Sequence, residues 1–107
     1  MPYNADLNVI KQILRITDSS SDTELTACQT SAYAEVNNIL KWNSFDVPIA
    51  SPVDQNIKDA ENYFACAYFR EREDSNEAQK LYVRGKAFLQ AYVDGESGKC
   101  QFRAVQA

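Results

Sequence analysis

Between residues 7 and 25 one amphipathic pattern stops, a polar turn intervenes, and a second pattern starts, so the chain has to double back there. Leu7, Ile10, Ile13 and Leu14 recur at three- and four-residue spacing, which places them on one face of a 3.6-residue helix. Thr17 and Asp18 then lead into Ser19, Ser20 and Ser21, whose side chains compete for backbone hydrogen bonds and favour turns over helix interiors. Ser21 stands three residues before Glu24, the spacing of a capping box, with Leu25 following. The sequence therefore predicts a helical hairpin, with a first helix over 5–16, capped by Asn4, and a second over 22–41.

In that second helix Leu25, Cys28, Ala32, Val36, Ile39 and Leu40 keep helical period, while Ala27, Ala32 and Ala34 let a neighbour approach closely. The connection 42–52 carries Trp42, Phe45, Val47 and Ile49, too apolar for a flexible linker, and Pro48 and Pro52 keep it from being helix. It reads either as a loop closing one end of a bundle or as a contact surface for another subunit, since tryptophan and phenylalanine are enriched at interfaces. Ser51 as cap, Pro52 at the first helical position and Asp54 as box acid predict a third helix to about Arg72. Its core face holds Val53, Ile57, Ala60 and Phe64, and Tyr63, Tyr68 and Phe69 make it the most aromatic part of the chain.

A polar break at 73–75 precedes a fourth helix, capped by Asp74 or Ser75 and carried to about Val93 by Ala78, Leu81, Tyr82, Phe88, Leu89 and Tyr92. Gly85 inside it costs roughly 1 kcal/mol relative to alanine, so it marks a close helix crossing. Gly95 is read as its stop, and residues 96–107 as an extended tail of alternating character. The expected fold is all-α: a small four-helix, bundle-like domain over 1–95 with an extended C-terminal tail over 96–107.

At 107 residues the chain can bury one modest core. The formal net charge of −4 argues against a general affinity for nucleic-acid backbone, which needs clustered positive charge. No apolar run reaches membrane-spanning length and no basic-then-apolar leader is visible, so a soluble, cytosolic product is expected. Cys28, Cys66 and Cys100 are widely spaced with no C-x-x-C pair, giving neither a disulfide framework nor a zinc site, and the first two are read as small buried hydrophobes.

The sequence contains no histidine, which removes the commonest general base and metal ligand. Asp59 and Glu61, and Glu71, Glu73 and Asp74, sit on faces or ends that read as solvated. The run Gly95-Glu96-Ser97-Gly98-Lys99 lacks the spacing and the Ser or Thr of a phosphate loop. No catalytic, cofactor or metal residues are assigned, and the chain is not read as an enzyme. Arg70, Arg72, Lys80, Arg84 and Lys86 form the remaining candidate. They are either a solvated face with pairs such as Glu77 to Lys80, or a basic rim facing an acidic partner or passing DNA.

Residues 7–40 resemble the head–tail connector (adaptor, or head-completion) proteins of tailed double-stranded DNA phages. The resemblance is carried by Val9-Ile10-Lys11-Gln12-Ile13-Leu14-Arg15-Ile16, the polar insert Thr17–Asp22, Leu25 and the alanine-bearing helix ending Val36-Asn37-Asn38-Ile39-Leu40. The third helix, with Ile57, Ala60, Tyr63, Phe64, Ala65 and Tyr68, looks like the family's later core helix. The aromatic link 42–49 and the tail depart from the pattern. The resemblance implies a non-catalytic virion protein at the head–tail interface, assembled in the host cytoplasm. It would form a homo-oligomeric ring, commonly dodecameric, between the portal and the stopper or tail-completion protein. Packaged DNA would pass through without sequence-specific binding. It further implies a tail that anchors to the portal, by position through Phe102, Arg103 and Val105, with Trp42 and Phe45 available for subunit contacts. The competing reading is a small regulator of helix-turn-helix type. Against it stand the acidic turn and Glu24 and Glu35 where a recognition helix should be basic or amide-rich.

Overall fold

The polar turn separates two helices, as its composition demands, and two more complete the domain. The computed structural model describes residues 5–43, 45, 47, 53–71 and 73–106, the side chains of 96–106 excepted. The order is α1 (Leu7–Leu14), α2 (Asp22–Trp42), α3 (Gln55–Arg70) and α4 (Ser75–Gln106), with no strand among the described residues. The chain is all-α.

The first helix is shorter at both ends than its periodicity suggested. Asp6 caps it in extended backbone, its carboxylate accepting from Asn8 N–H at 2.8 Å. At the other end Arg15 takes the left-handed conformation (φ 60°, ψ 42°), and Ile16 N–H reaches back to Lys11 O at 2.9 Å. That bond closes a Schellman-type stop, here without a glycine. Asn4 lies outside the described residues.

Helix α2 begins where expected, but the capping box is not made in the expected way. Ser21 holds ψ 7°, not the extended backbone of a serine cap, and its side chain makes no capping bond. The first turn is anchored by Asp22 instead, paired with Lys11 Nζ at 2.8 Å across the hairpin. For α3 the cap is Asp54, whose carboxylate accepts from Asn56 N–H at 2.8 Å; Ser51 and Pro52 lie outside the described residues. Asp74 caps α4, accepting from both Asn76 and Glu77 N–H at 3.1 Å.

The core runs along α3. Ile10 and Leu14 of α1, Leu25, Ala32, Val36 and Leu40 of α2, and Leu89 and Val93 of α4 close around Ile57, Ala60, Phe64, Ala65, Cys66 and Phe69. Phe64 is wholly buried, with the Tyr82 ring 5.0 Å away. Burying a side chain of that size contributes on the order of 1.5–3 kcal/mol. Gly85 faces it: a Cβ there would stand 2.8 Å from Phe64 Cδ1 and 3.2 Å from Ala60 O. The close crossing read from the sequence is the α3–α4 crossing.

Helix α1 is joined to α3 in a different manner, through main chain. Glu61 and Asn62 accept from the N–H groups of Ala5 and Asp6 at 3.0 and 2.9 Å. One helical turn on, Cys66 Sγ lies 3.8 Å from Ile10 O; a further turn on, Arg70 Nη2 donates to Leu14 O at 2.9 Å. All four pairs are separated by 56 residues, so the two elements run parallel in one register. From α2, Gln29 Nε2 donates to Ala5 O at 2.9 Å.

Two expectations fail here. Glu61, read as solvated, is fully buried, because its partner is the backbone of a segment 56 residues earlier. The tail is not extended, since α4 continues without a stop through Gly95 to Gln106. A glycine ends a helix when its backbone flips to positive φ, and no described glycine does so. Residues 96–106 hold no proline, so nothing in the covalent chain forces an end.

Candidate interaction surfaces

The residues singled out as interface candidates separate into different environments. Trp42, the last residue of α2, is 88% exposed, and Asn38, Lys41 and Trp42 line an open hollow at that corner. Every other aromatic side chain among the described residues is buried or half-buried. Phe45 is one of these. Its N–H donates to Leu40 O at 3.0 Å and its ring sits 5.5 Å from Tyr92, so it closes the end of the bundle. Val47 and Val53 are likewise half-buried against the core. The side chains of Phe102, Arg103 and Val105 lie outside the described residues, though their backbone belongs to α4.

The five basic residues do not form one rim. Arg70 is largely enclosed and holds α1, with Glu73 at 2.8 Å from Nη1 and Glu77 at 3.9 Å from Nε. A guanidinium at the C-terminal carbonyls of α1 satisfies an orphan acceptor and opposes the negative end of the helix dipole. Arg72 lies outside the described residues. Lys80 and Arg84 are exposed on one flank of α4, where Arg84 covers the Tyr63 ring at 5.7 Å and Tyr63 in turn stacks on Phe88 at 5.5 Å. Lys86 lies on the opposite flank, 5.8 Å over the Tyr82 ring.

That opposite flank borders a groove the sequence reading missed. It is open, about 360 Å³, and lined by Glu35 of α2, Tyr68 and Glu71 of α3, and Ser75, Gln79 and Tyr82 of α4. The Tyr82 hydroxyl donates to Glu35 Oε2 at 2.8 Å. Burial, with the Glu35 carboxylate adding to it, raises the titration of both Tyr68 and Tyr82, so the phenols stay protonated donors. Glu35, Tyr68 and Tyr82 are spread along the chain, and only their helical registers, taken together with the packing order, could have brought them to one place.

The two described cysteines are unreactive in character. Burial pushes the Cys66 thiol up to about 12 and raises Cys28 as well. Cys66 is fully buried and Cys28 is half-buried against the core, in keeping with their reading as small hydrophobes. Among the described residues no group of three His, Cys, Asp or Glu side chains could hold a metal ion. None of the helices searched among the described residues is long and apolar enough to cross a membrane.

Comparison with protein-family models, with curated proteins and with solved structures returns no match. The class defined by the fold is a small all-α protein built as a helix pair packed across a central helix and a long C-terminal one.

Proposed function

We propose that this chain is a head–tail connector subunit of a tailed double-stranded DNA phage. In this reading it joins the portal to a stopper or tail-completion protein as a ring around the DNA channel, in the virion. The observation that carries the proposal is Trp42, left 88% exposed on a domain that shelters its other described aromatics. A large amphipathic ring so placed is the kind of side chain that anchors protein interfaces. The helix order α1, polar turn, α2, with an aromatic α3, supports the same reading.

Helix α4 supplies the portal-binding element. Its 32 residues span about 48 Å at 1.5 Å per residue, twice the length of the 16-residue α3. The tail, with Phe102, Arg103 and Val105, engages the portal through residues 96–106 as the end of a helix and not as the extended strap first expected. A net charge of −4 suits DNA that passes without being gripped. The helix-turn-helix alternative is less well supported, because Asp22 and Glu24 occupy the first turn of the helix that would enter the groove.

The test is to mix the purified protein with portal rings from its own genome and image the product by electron microscopy. Stacked rings are expected, lost on truncation after residue 96 and weakened by Trp42→Ala. Unchanged portal binding by the truncated chain removes the role given to the tail. An absence of association, together with a monomer that shifts a DNA fragment at moderate salt, moves the reading to the regulator.

A further inference from the structure

The two flanks of α4 differ in chemistry. One borders the groove of Glu35, Tyr68, Glu71, Gln79 and Tyr82, where two carboxylates outnumber Lys86 at its edge. Glu71 also caps the C-terminus of α3, where the helix dipole is negative. The other flank is a shallow hollow of about 500 Å³ lined by Glu77, Lys80, Leu81, Val83, Arg84 and Ala87. Val83 in its lining is 55% exposed, the only large apolar side chain besides Trp42 so exposed among the described residues. Glu77 leans toward Arg70, which leaves Lys80 and Arg84 as an excess of positive charge around an apolar patch. At about 100° per residue, the line through Ser75, Gln79 and Tyr82 and the line through Glu77, Lys80 and Arg84 lie about 165° apart on the helix.

We infer that these flanks are the two halves of one contact between copies of this chain, the Lys80–Val83–Arg84 flank of one copy seating against the Glu35–Tyr68–Glu71–Tyr82 groove of the next. The argument is charge complementarity around an apolar centre, the common anatomy of a specific interface. Because the halves are different surfaces on opposite flanks, the contact is heterologous, and repetition closes a ring or propagates a filament. The inference rests on the ring reading above and supplies its subunit interface.

Sedimentation velocity of the full-length protein, alone and on portal rings, at low and moderate salt tests it. The wild-type chain is expected to associate with rising concentration and less so as salt screens the charges. Arg84→Glu and Glu71→Arg are each expected to weaken association at least tenfold, and an equimolar mixture of the two to restore it. Val83→Glu, a change at an exposed position, abolishes association with an unchanged circular-dichroism spectrum. Association that is indifferent to these changes, or singles that the mixture does not rescue, overturns the pairing while leaving a ring possible by other surfaces. A wild-type chain that stays monomeric alone and on portal rings overturns both.

Discussion

Two glycines in one helix should respond to the same substitution with opposite signs. Gly85→Ala gains up to about 1 kcal/mol of helix propensity. Against this, the new methyl stands 2.8 and 2.9 Å from two carbons of the Phe64 ring and 3.2 Å from the Ala60 carbonyl, closer than carbon atoms tolerate. The ring has little room to yield, since Phe64 is wholly buried and the Tyr82 ring sits 5.0 Å away. Overpacking of this kind costs about 1–3 kcal/mol, so the net is a loss of about 1 kcal/mol, with the crossing pushed apart. At Gly95 nothing lies within 4 Å of the added methyl, so Gly95→Ala keeps the whole propensity gain and stabilises by about 1 kcal/mol. Urea unfolding followed by far-ultraviolet circular dichroism measures both, and the same experiment on Gly85→Ala/Phe64→Leu tests the cause. Trimming the ring should restore part of the loss, giving a favourable coupling of about 1 kcal/mol. Gly85→Ala as stable as the wild type, or a double variant with no coupling, would refute the close crossing.

Three further outcomes follow from particular contacts. Arg70→Gln loses the donor to Leu14 O and the pairing with Glu73 and Glu77, and should cost about 1.5–3 kcal/mol in urea unfolding, with Leu14 and Ile16 amides losing hydrogen-exchange protection first. Arg15→Gly relieves the left-handed backbone at φ 60° and should be neutral or stabilising by up to about 1 kcal/mol, whereas Arg15→Val should destabilise. Cys66 is an acid whose folded pKa is raised from 9.0 to about 12, so the unfolded chain loses its proton first. Its contribution is complete below pH 9 and is lost as pH rises to about 12, at about 1.4 kcal/mol per pH unit. Cys66→Ala should flatten the alkaline stability profile by that slope relative to the wild type.

Helix number and order were legible because Leu7, Ile10 and Leu14, or Ile57, Ala60 and Phe64, carry period 3.6 in the linear sequence, and Gly85 announced its crossing by being costly anywhere else. What was not legible depends on partners far along the chain. Nothing near Glu61 or Arg70 indicates that they serve main-chain groups of residues 5 and 14, so one was read as solvated and the other as part of a basic rim. Gly95 was misread because glycine is a stop only when a local geometry with positive φ uses it as one, and here the helical backbone continues. The groove between Glu35 and Tyr82 required the packing order of three helices before its lining could be assembled.

The constant offset of 56 residues between α1 and α3 makes the domain a ruler with one tolerant span and one intolerant one. All four contacts between them, at Glu61, Asn62, Cys66 and Arg70, meet backbone of residues 5, 6, 10 and 14, and so are indifferent to which side chains α1 presents outward. Adding or removing one residue between Asp6 and Leu14 would instead slide Leu14 out of step with Arg70 while the Ala5 and Asp6 contacts hold, about 100° of rotation and 1.5 Å of rise for each residue. The same change in the connection after Trp42 alters the offset of all four pairs by the same amount, so the register along the two helices stays intact. Related chains can therefore vary freely in loop length and in the outward residues of α1, while its residue count stays fixed.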